Sequence, residues 1–269
     1  MRNAYYQLHS FINMAQKKDV FYYSAQTILE HIDEIPKYSI TQVADLCFAS
    51  TATISRLIRK LNYPSFNDFK QDVIYALDEI ERCEPIHFGQ EPVDKYPYVE
   101  LEQLKDDFFQ AVVSNLRDTN RTVSSQDIKE IVDYIDQASR VIFIGYNFGQ
   151  SLSSQLQITL SQQHKDVIVK TSEKMQLELL QESTENDLII LTTITGNYFR
   201  LKQEAMTYFK NSPAKKIVIT QDKEWANKNQ VDKTILVGRE NDSYIGKFSV
   251  LLIYEMIEMF YRARHMEGR

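Results

Sequence analysis

Several kinds of chemistry have little material in this chain. It holds only two cysteines, Cys47 and Cys83, in 269 residues. They do not form the spacing of a metal site, and such sparse use fits a reducing cytosol rather than a disulfide framework. Cys47 falls on an apolar stripe and reads as a small core residue. His9, His31, His87, His164 and His265 are scattered without ligand spacing, so no metal and no cofactor is expected. No apolar run approaches the ~20 residues that a membrane span needs. The first residues lack the apolar segment of a secretory leader, so the expected location is the cytoplasm. Internal repeats and low-complexity tracts are absent. Positive charge is also short: the formal net charge is −6, which is not the overall balance of a nucleic-acid protein.

What is present points the other way locally. The segment from Ser39 to Lys60 carries two short amphipathic helices separated by a break at Phe48–Ala49. Ile40, Val43, Ala44 and Cys47 recur at i, i+3, i+4 and i+7, one face of a helix. Ser39 can cap this helix, and Gln42 can complete a capping box. Ser50 can cap the second helix, where Ile54, Leu57, Ile58 and Leu61 repeat the stripe. Its other face presents Thr51, Thr53, Ser55, Arg56, Arg59 and Lys60. Residues 50–70 hold Arg56, Arg59, Lys60 and Lys70 against Asp68 alone, a local charge of +3. By itself that excess suits a solvated helix face as well as a DNA-binding patch. A tight pair of helices with the second polar and basic outward is the helix-turn-helix arrangement, which places a helix in the major groove.

The length suits two domains, and 43% hydrophobic with 25% charged residues allows each a core. Helices are expected around Tyr5–Ala15, around Phe21–Ile32 with a stop near Pro36, and after Pro64 and Ser65, with Phe66, Phe69, Val73 and Ile80 inward. Residues 1–80 therefore read as an all-α helix-turn-helix domain. Pro85, Pro92 and Pro97 with Gly89 mark a linker over 81–98. Beyond it, helices about Val99–Leu116 and Ser125–Ala138 lead to five short apolar runs: 141–144, 167–169, 188–191, 217–219 and 234–237. Helical segments separate most of them. The pattern predicts an α/β domain over 99–269, a doubly wound five-stranded parallel sheet of flavodoxin-like type covered on both faces. The segment Tyr244–His265 is apolar nearly all round at its centre. It is a buried helix, packed within the domain or against a second copy.

In open parallel sheets, ligands bind beyond the carboxyl ends of the strands. Two such ends are distinctive. One runs Gly145-Tyr-Asn147-Phe-Gly149-Gln-Ser151, and the other runs Thr192-Thr193-Ile-Thr195-Gly196-Asn197. Each can offer backbone N–H groups at a helix start, where the dipole favours an anion, and the second adds hydroxyl donors. A phosphate-bearing small molecule suits them, although such glycines also serve as turn chemistry alone. Neither is a Walker loop or a dinucleotide fingerprint. A sugar-phosphate isomerase would need a base beside its carbonyl. Glu255, Glu258 and His164 are the candidates, and none has a partner that would complete a constellation, so no catalytic residue is assigned.

Residues 38–70 resemble the N-terminal domain of the RpiR/MurR family of bacterial transcriptional regulators. The resemblance is carried by Ser50-x-Ala52-Thr53-Ile54-x-Arg56 and by Leu61-Asn-Tyr-x-Ser65-Phe66 with Phe69-Lys70. Asn62 stands where that family usually has glycine. Residues 100–265 resemble the sugar isomerase (SIS) domain that follows in the same family. There Asn147 replaces a glycine, Gly149 stands at the usual serine, and Tyr198 replaces a small donor. Thr193, Thr195 and Thr220 keep hydroxyls.

The resemblance implies a dimeric or tetrameric regulator, not an enzyme, whose SIS domain binds a phosphosugar and changes affinity for DNA. The expected partners are then an inverted-repeat operator, a phosphosugar effector and a second copy of the chain. The expected DNA-contacting residues are Ser50, Thr51, Thr53, Ser55, Arg56, Arg59, Lys60 and Lys70. The expected ligand residues are Gly145, Asn147, Gly149, Thr193, Thr195, Gly196, Asn197 and Thr220. Two other readings remain at this point: an SIS domain that only dimerises, and a sugar-phosphate isomerase with an appended helical domain.

Overall fold

The computed structural model describes residues 4–81, 87–88, 91–92, 101–145, 148–170, 173–196, 198, 203–229, 231–238 and 243–266. The chain divides into two compact units, Met1–Glu84 and Pro85–Arg269.

The first unit is helical: α1 (Ala4–Met14), α2 (Val20–Glu30), a 3-10 turn (Ile35–Lys37) carrying Pro36, α3 (Ile40–Leu46), α4 (Thr51–Lys60) and α5 (Phe66–Glu81). Both ends of the α3–α4 pair follow from local chemistry. Ser39 accepts from the Gln42 backbone while the Gln42 side chain reaches back to the Ser39 N–H, the expected capping box. Ser50 caps α4 by accepting from the Thr53 N–H at 3.1 Å.

Both helices then close in the same way. After α3, Phe48 N–H donates to Asp45 O and Ala49 N–H to Ala44 O; after α4, Asn62 N–H donates to Arg59 O and Tyr63 N–H to Ile58 O. These paired bonds require a left-handed residue just past the helix. Phe48 (φ 50°) and Asn62 (φ 66°) take that conformation. Asn tolerates it well, but a fully exposed phenylalanine (98%) gains nothing from its ring to offset the strain. Ile54, Leu57, Ile58 and Leu61 are buried among Leu8, Ala25, Ile28, Val43, Phe69 and Val73.

The second unit begins with a departure. Part of the expected linker forms an antiparallel pair, β1 (His87–Phe88) with β2 (Glu91–Pro92). Then come α6 (Leu101–Thr122), α7 (Ser125–Gln137), β3 (Arg140–Gly145), α8 (Phe148–Gln162), β4 (Asp166–Val169), α9 (Glu173–Gln181), β5 (Asp187–Thr193), α10 (Gln203–Asn211), β6 (Lys215–Thr220), α11 (Lys223–Lys228), β7 (Lys233–Leu236) and α12 (Ser243–Met266). The five strands β3–β7 form a parallel sheet in the order β4-β3-β5-β6-β7. This is the doubly wound sheet that the apolar runs predict.

Its two faces are read off by alternation. Val141, Phe143, Leu188, Ile190, Ile217 and Ile219 pack with residues of α7, α8 and α12. Ile142, Ile144, Ile189, Leu191 and Val218 pack with residues of α9 and α10 on the other side. Helix α6 runs six residues past its expected end at Leu116. Its last turns carry Asn115 and Thr119, a buried polar pair that bonds Ser249 of α12 (Asn115 Nδ2 to Ser249 Oγ 2.6 Å, Thr119 Oγ1 to Ser249 Oγ 2.7 Å). Val250, Ile253, Tyr254 and Ile257 of α12 are buried within the unit, so much of its apolar surface is covered without a second copy.

Two predictions follow from these contacts. Phe48→Gly relieves the left-handed strain without removing a packed side chain. Urea unfolding of the full chain is expected to show the helical unit more stable by about 1 kcal/mol; a loss of stability would mean that the ring packs. Separately, Lys233 Nζ donates to Asp127 Oδ1 and to Glu130 Oε2, both at 2.6 Å, tying β7 to α7. Donation from Lys233, with help from Ser124, holds the Asp127 carboxyl down to about 2. An unfolded aspartate titrates near ~3.9. The pair's stabilisation is therefore complete above that pH and falls away as the pH drops toward 2. Denaturation midpoints measured from pH 5 to pH 2 should fall less steeply for Asp127→Asn than for wild type.

Candidate nucleic-acid interface and effector crevice

The buried stripe of α4 fixes which side faces solvent. Thr51, Arg56, Arg59 and Lys60 are exposed, and Thr53 and Ser55 are half-buried. Among the described residues no carboxylate pairs with Arg56 or Arg59. Lys60 Nζ lies 5.2 Å from the centre of the Phe21 ring on α2, a cation–π seat that orients it. The basic last turn also complements the negative end of the helix.

Three of the expected DNA-contacting residues carry local duties. Ser50 Oγ, besides capping, lies 2.9 Å from Thr53 Oγ1, so both hydroxyls are engaged in the cap. Lys70 Nζ donates to the Tyr38 carbonyl at 3.0 Å, tying α5 to the 3-10 turn. Among the described residues, Arg56 and Arg59 are exposed on this surface with no carboxylate beside them. Cys47 is half-buried with its Sγ 3.7 Å from the Ser24 carbonyl, and burial pushes its thiol up to about 11. It behaves as the core residue its position suggests.

In the second unit the strand order reverses between β3 and β5, and the distinctive turns follow these strands. A side chain added at Gly145 would come within 3.1 Å of the Thr192 carbonyl, and one at Gly149 within 3.3 Å of the Thr192 side chain. The two turns are therefore in close contact. Thr193 Oγ1 accepts from the Tyr198 N–H at 3.2 Å. Gly196 adopts φ +73°, with the Asp222 carboxylate where a side chain would stand, so this position demands glycine. Thr220 Oγ1 donates to the Ile194 carbonyl at 3.3 Å and accepts from the Asp222 N–H at 3.0 Å. Thr195 is half-buried. Gly145, Gly149, Thr193, Gly196 and Thr220 are thus all buried at the carboxyl edge of the sheet. Asn147 and Asn197 lie outside the described residues.

Further residues meet at this edge that sequence reasoning did not select. Tyr254 of α12 ties α8 to the end of β5, its hydroxyl 3.0 Å from Ser153 Oγ and 2.8 Å from Thr192 Oγ1. Burial raises its pKa, so it stays a neutral phenol. Gln176 donates to the Gly145 carbonyl at 3.0 Å and accepts from the Tyr198 hydroxyl at 3.3 Å. Gln221, next to Thr220, is 1% exposed. The only sequence signal for Tyr254 was its place in an apolar helix, which reads as core.

The candidate bases do not assemble. His164 sits in a left-handed turn (φ 62°) between α8 and β4, at the opposite edge of the sheet. Glu255 is exposed, and Glu258 accepts from Arg262 Nε at 3.0 Å. Among the described residues no group of histidine, cysteine and carboxylates could hold a metal, and no helix is long and apolar enough to cross a membrane.

Residues 23–79 match the helix-turn-helix domain of the rpiR family. Over 174 residues, 64% of the chain, there is 22% identity to an "Uncharacterized HTH-type transcriptional regulator in aarA 3'region" of Providencia stuartii. The match spans 59% of that relative's length. Among solved structures, the chain is similar to the NanR protein of Vibrio vulnificus complexed with ManNAc-6P (TM-score 0.52, 18% identity, 98% of this chain and 94% of that one). It is also similar to the sugar isomerase domain of an RpiR transcription factor from Sphaerobacter thermophilus (TM-score 0.53, 18% identity, 61% and 93%). These two likenesses show the fold.

The Tyr254 bridge gives a test of how the crevice is held. Tyr254→Phe removes the buried hydroxyl shared by Ser153 and Thr192 and should cost about 1–2 kcal/mol in urea unfolding. A variant as stable as wild type would show that the bridge contributes nothing.

Proposed function

We propose, on the premise that the N-terminal unit is an rpiR-family helix-turn-helix domain, that this protein is a sequence-specific transcriptional regulator responsive to a phosphosugar. The observation that carries the reading is the exposed cationic face of α4, held outward by a fully buried stripe. Thr51 and Arg56 face the base edges of the major groove, while Arg59 and Lys60 hold backbone phosphates. Ser50, Thr53 and Ser55 shape the entry of the helix, and Lys70 braces it from behind. The chain acts as a dimer or larger homo-oligomer in the cytoplasm on an inverted-repeat operator, with half-sites a helical turn or a multiple apart.

The second unit is the sensor. Its two turns at the point where the strand order reverses are where a doubly wound sheet receives ligands, and the NanR structure of the same fold holds ManNAc-6P. The boundaries 1–80, 81–98 and 99–269 describe this division of labour. Turnover is not part of the reading, because the candidate bases His164, Glu255 and Glu258 do not assemble at the crevice. One observation favours a second reading, in which the unit only holds copies together: the hydroxyls of Thr193 and Thr220 are already bonded within the chain.

The direct test is footprinting on genomic fragments. Arg56→Ala should weaken specific binding by about 1–3 kcal/mol and relax the base preference at one position. Arg59→Ala should weaken binding to all sequences and flatten the salt dependence. An Arg56→Ala footprint matching wild type would overturn the assignment of α4.

A further inference from the structure

The side chain of Gln221 is 1% exposed, and among the described residues neither its Nε2 nor its Oε1 has a hydrogen-bond partner. Burying an amide with both ends unmet is costly, and native proteins rarely leave such a group unexplained. Its position is specific. Gln221 directly follows β6, its N–H donates to the Ile194 carbonyl at 2.8 Å, and Ile194 lies in the turn Thr193–Gly196. On the other side stands Gly246, in the first turn of α12. A Cβ at Gly246 would collide with the Gln221 amide oxygen and come within 2.6 Å of Ile194 Cγ2. The absence of a side chain at Gly246 therefore makes room for the amide between the turn and the helix.

A 24-residue helix begins at this point. Its amino end favours an anion, and the orphaned amide beside it is a second, independent mark of a ligand. The chemistry of the pair defines the ligand class. A carboxamide that offers both a donor and an acceptor matches a sugar hydroxyl, or the amide of an N-acylated sugar, beside the anion that the helix start favours.

We propose that Gln221 is the residue that reads the sugar portion of the effector, and that its seat on Gly246 makes the first turn of α12 the element that responds to occupancy. The inference rests on the sensor role given above to the second unit. At 1% exposure the amide can reach a ligand only if it rotates out or if the first turn of α12 gives way. Either movement changes the packing at Gly246, so occupancy and the position of α12 are coupled. The same helix carries Ser249, which bonds α6, and Tyr254, which bonds α8 and the end of β5, so a shift at its start reaches these elements.

The experiment uses the full chain, calorimetric titration and thermal unfolding. The probes are N-acetylmannosamine 6-phosphate, glucose 6-phosphate and inorganic phosphate. Gln221→Leu keeps the side chain's bulk and removes both unmet polar atoms; Gln221→Met is the second variant should the branched leucine not fit. The ligand-free variant is expected to melt higher than wild type. Its affinity for the preferred sugar phosphate should fall at least tenfold, with affinity for inorganic phosphate unchanged.

Retention of sugar-phosphate affinity within twofold would overturn the proposal. So would an equal loss of phosphate affinity, which would mark a merely structural role, or a lower melting temperature in both variants, which would mean that the amide is satisfied inside the protein. A wild-type chain that binds none of the three probes would overturn the sensor reading itself. That outcome is distinct from failure of Gln221 alone, in which wild type responds and the variants respond equally.

Discussion

The apolar stripe of α4 is the constraint on which its exposed cationic face depends. Ile54, Leu57, Ile58 and Leu61 are each no more than 1% exposed, and burying four such side chains gains several kcal/mol by area alone. That energy fixes the rotation of the helix about its own axis. With the stripe inward, Arg56 and Arg59 have only solvent, or a nucleic acid, to face. The turns at both ends then fix where the helix starts and stops. Ser50 sets its first residue, and the left-handed Asn62 returns the chain so that Tyr63 packs back on the core.

A comparable constraint acts in the second unit. Every strand of its sheet is parallel, so every strand-to-helix turn emerges at the same edge. The strand order then opens a crevice where β3 and β5 send their helices to opposite faces. What differs from an open anion site is how many polar groups there are already paired. Tyr254 holds Ser153 and Thr192, Tyr198 holds Thr193, and Thr220 is spent on Ile194 and Asp222. A ligand at this edge has to exchange those bonds for its own.

The legible parts of the sequence were those governed by short periods. Continuous apolar runs at 141–144, 188–191 and 217–219 marked the strands of a sheet covered on both faces. Spacings of three and four gave α3 and α4, and capping residues gave their starts. The site was only half legible, because hydrogen bonds over long sequence separations leave no local trace. Tyr254 reaches Ser153 and Thr192 across 101 and 62 residues, and Asn115 reaches Ser249 across 134. Lys70 looked like one more cation of the DNA face. Its use as a tie to Tyr38 depends on how α5 packs on the 3-10 turn, which composition does not encode. The pairing of β1 with β2 was hidden by Pro92, which argues against a strand in any central position but is tolerated at an edge.

On the proposed reading, these two sets of bonds are what make regulation possible. A ligand changes DNA affinity only by as much as it prefers one arrangement of the chain over another, and the coupling runs equally in both directions. A crevice of free donors would bind phosphate tightly and change nothing, because nothing would have to move. A crevice whose polar groups are already engaged with Tyr198, Tyr254 and the chain's own carbonyls has to rearrange before it binds. Affinity is given up in that exchange and appears as displacement of α12, whose Tyr254 ties α8 to the end of β5. The departures from the family pattern at Gly149 and Tyr198 fit that logic: they lower the number of ready donors and raise the dependence of binding on movement.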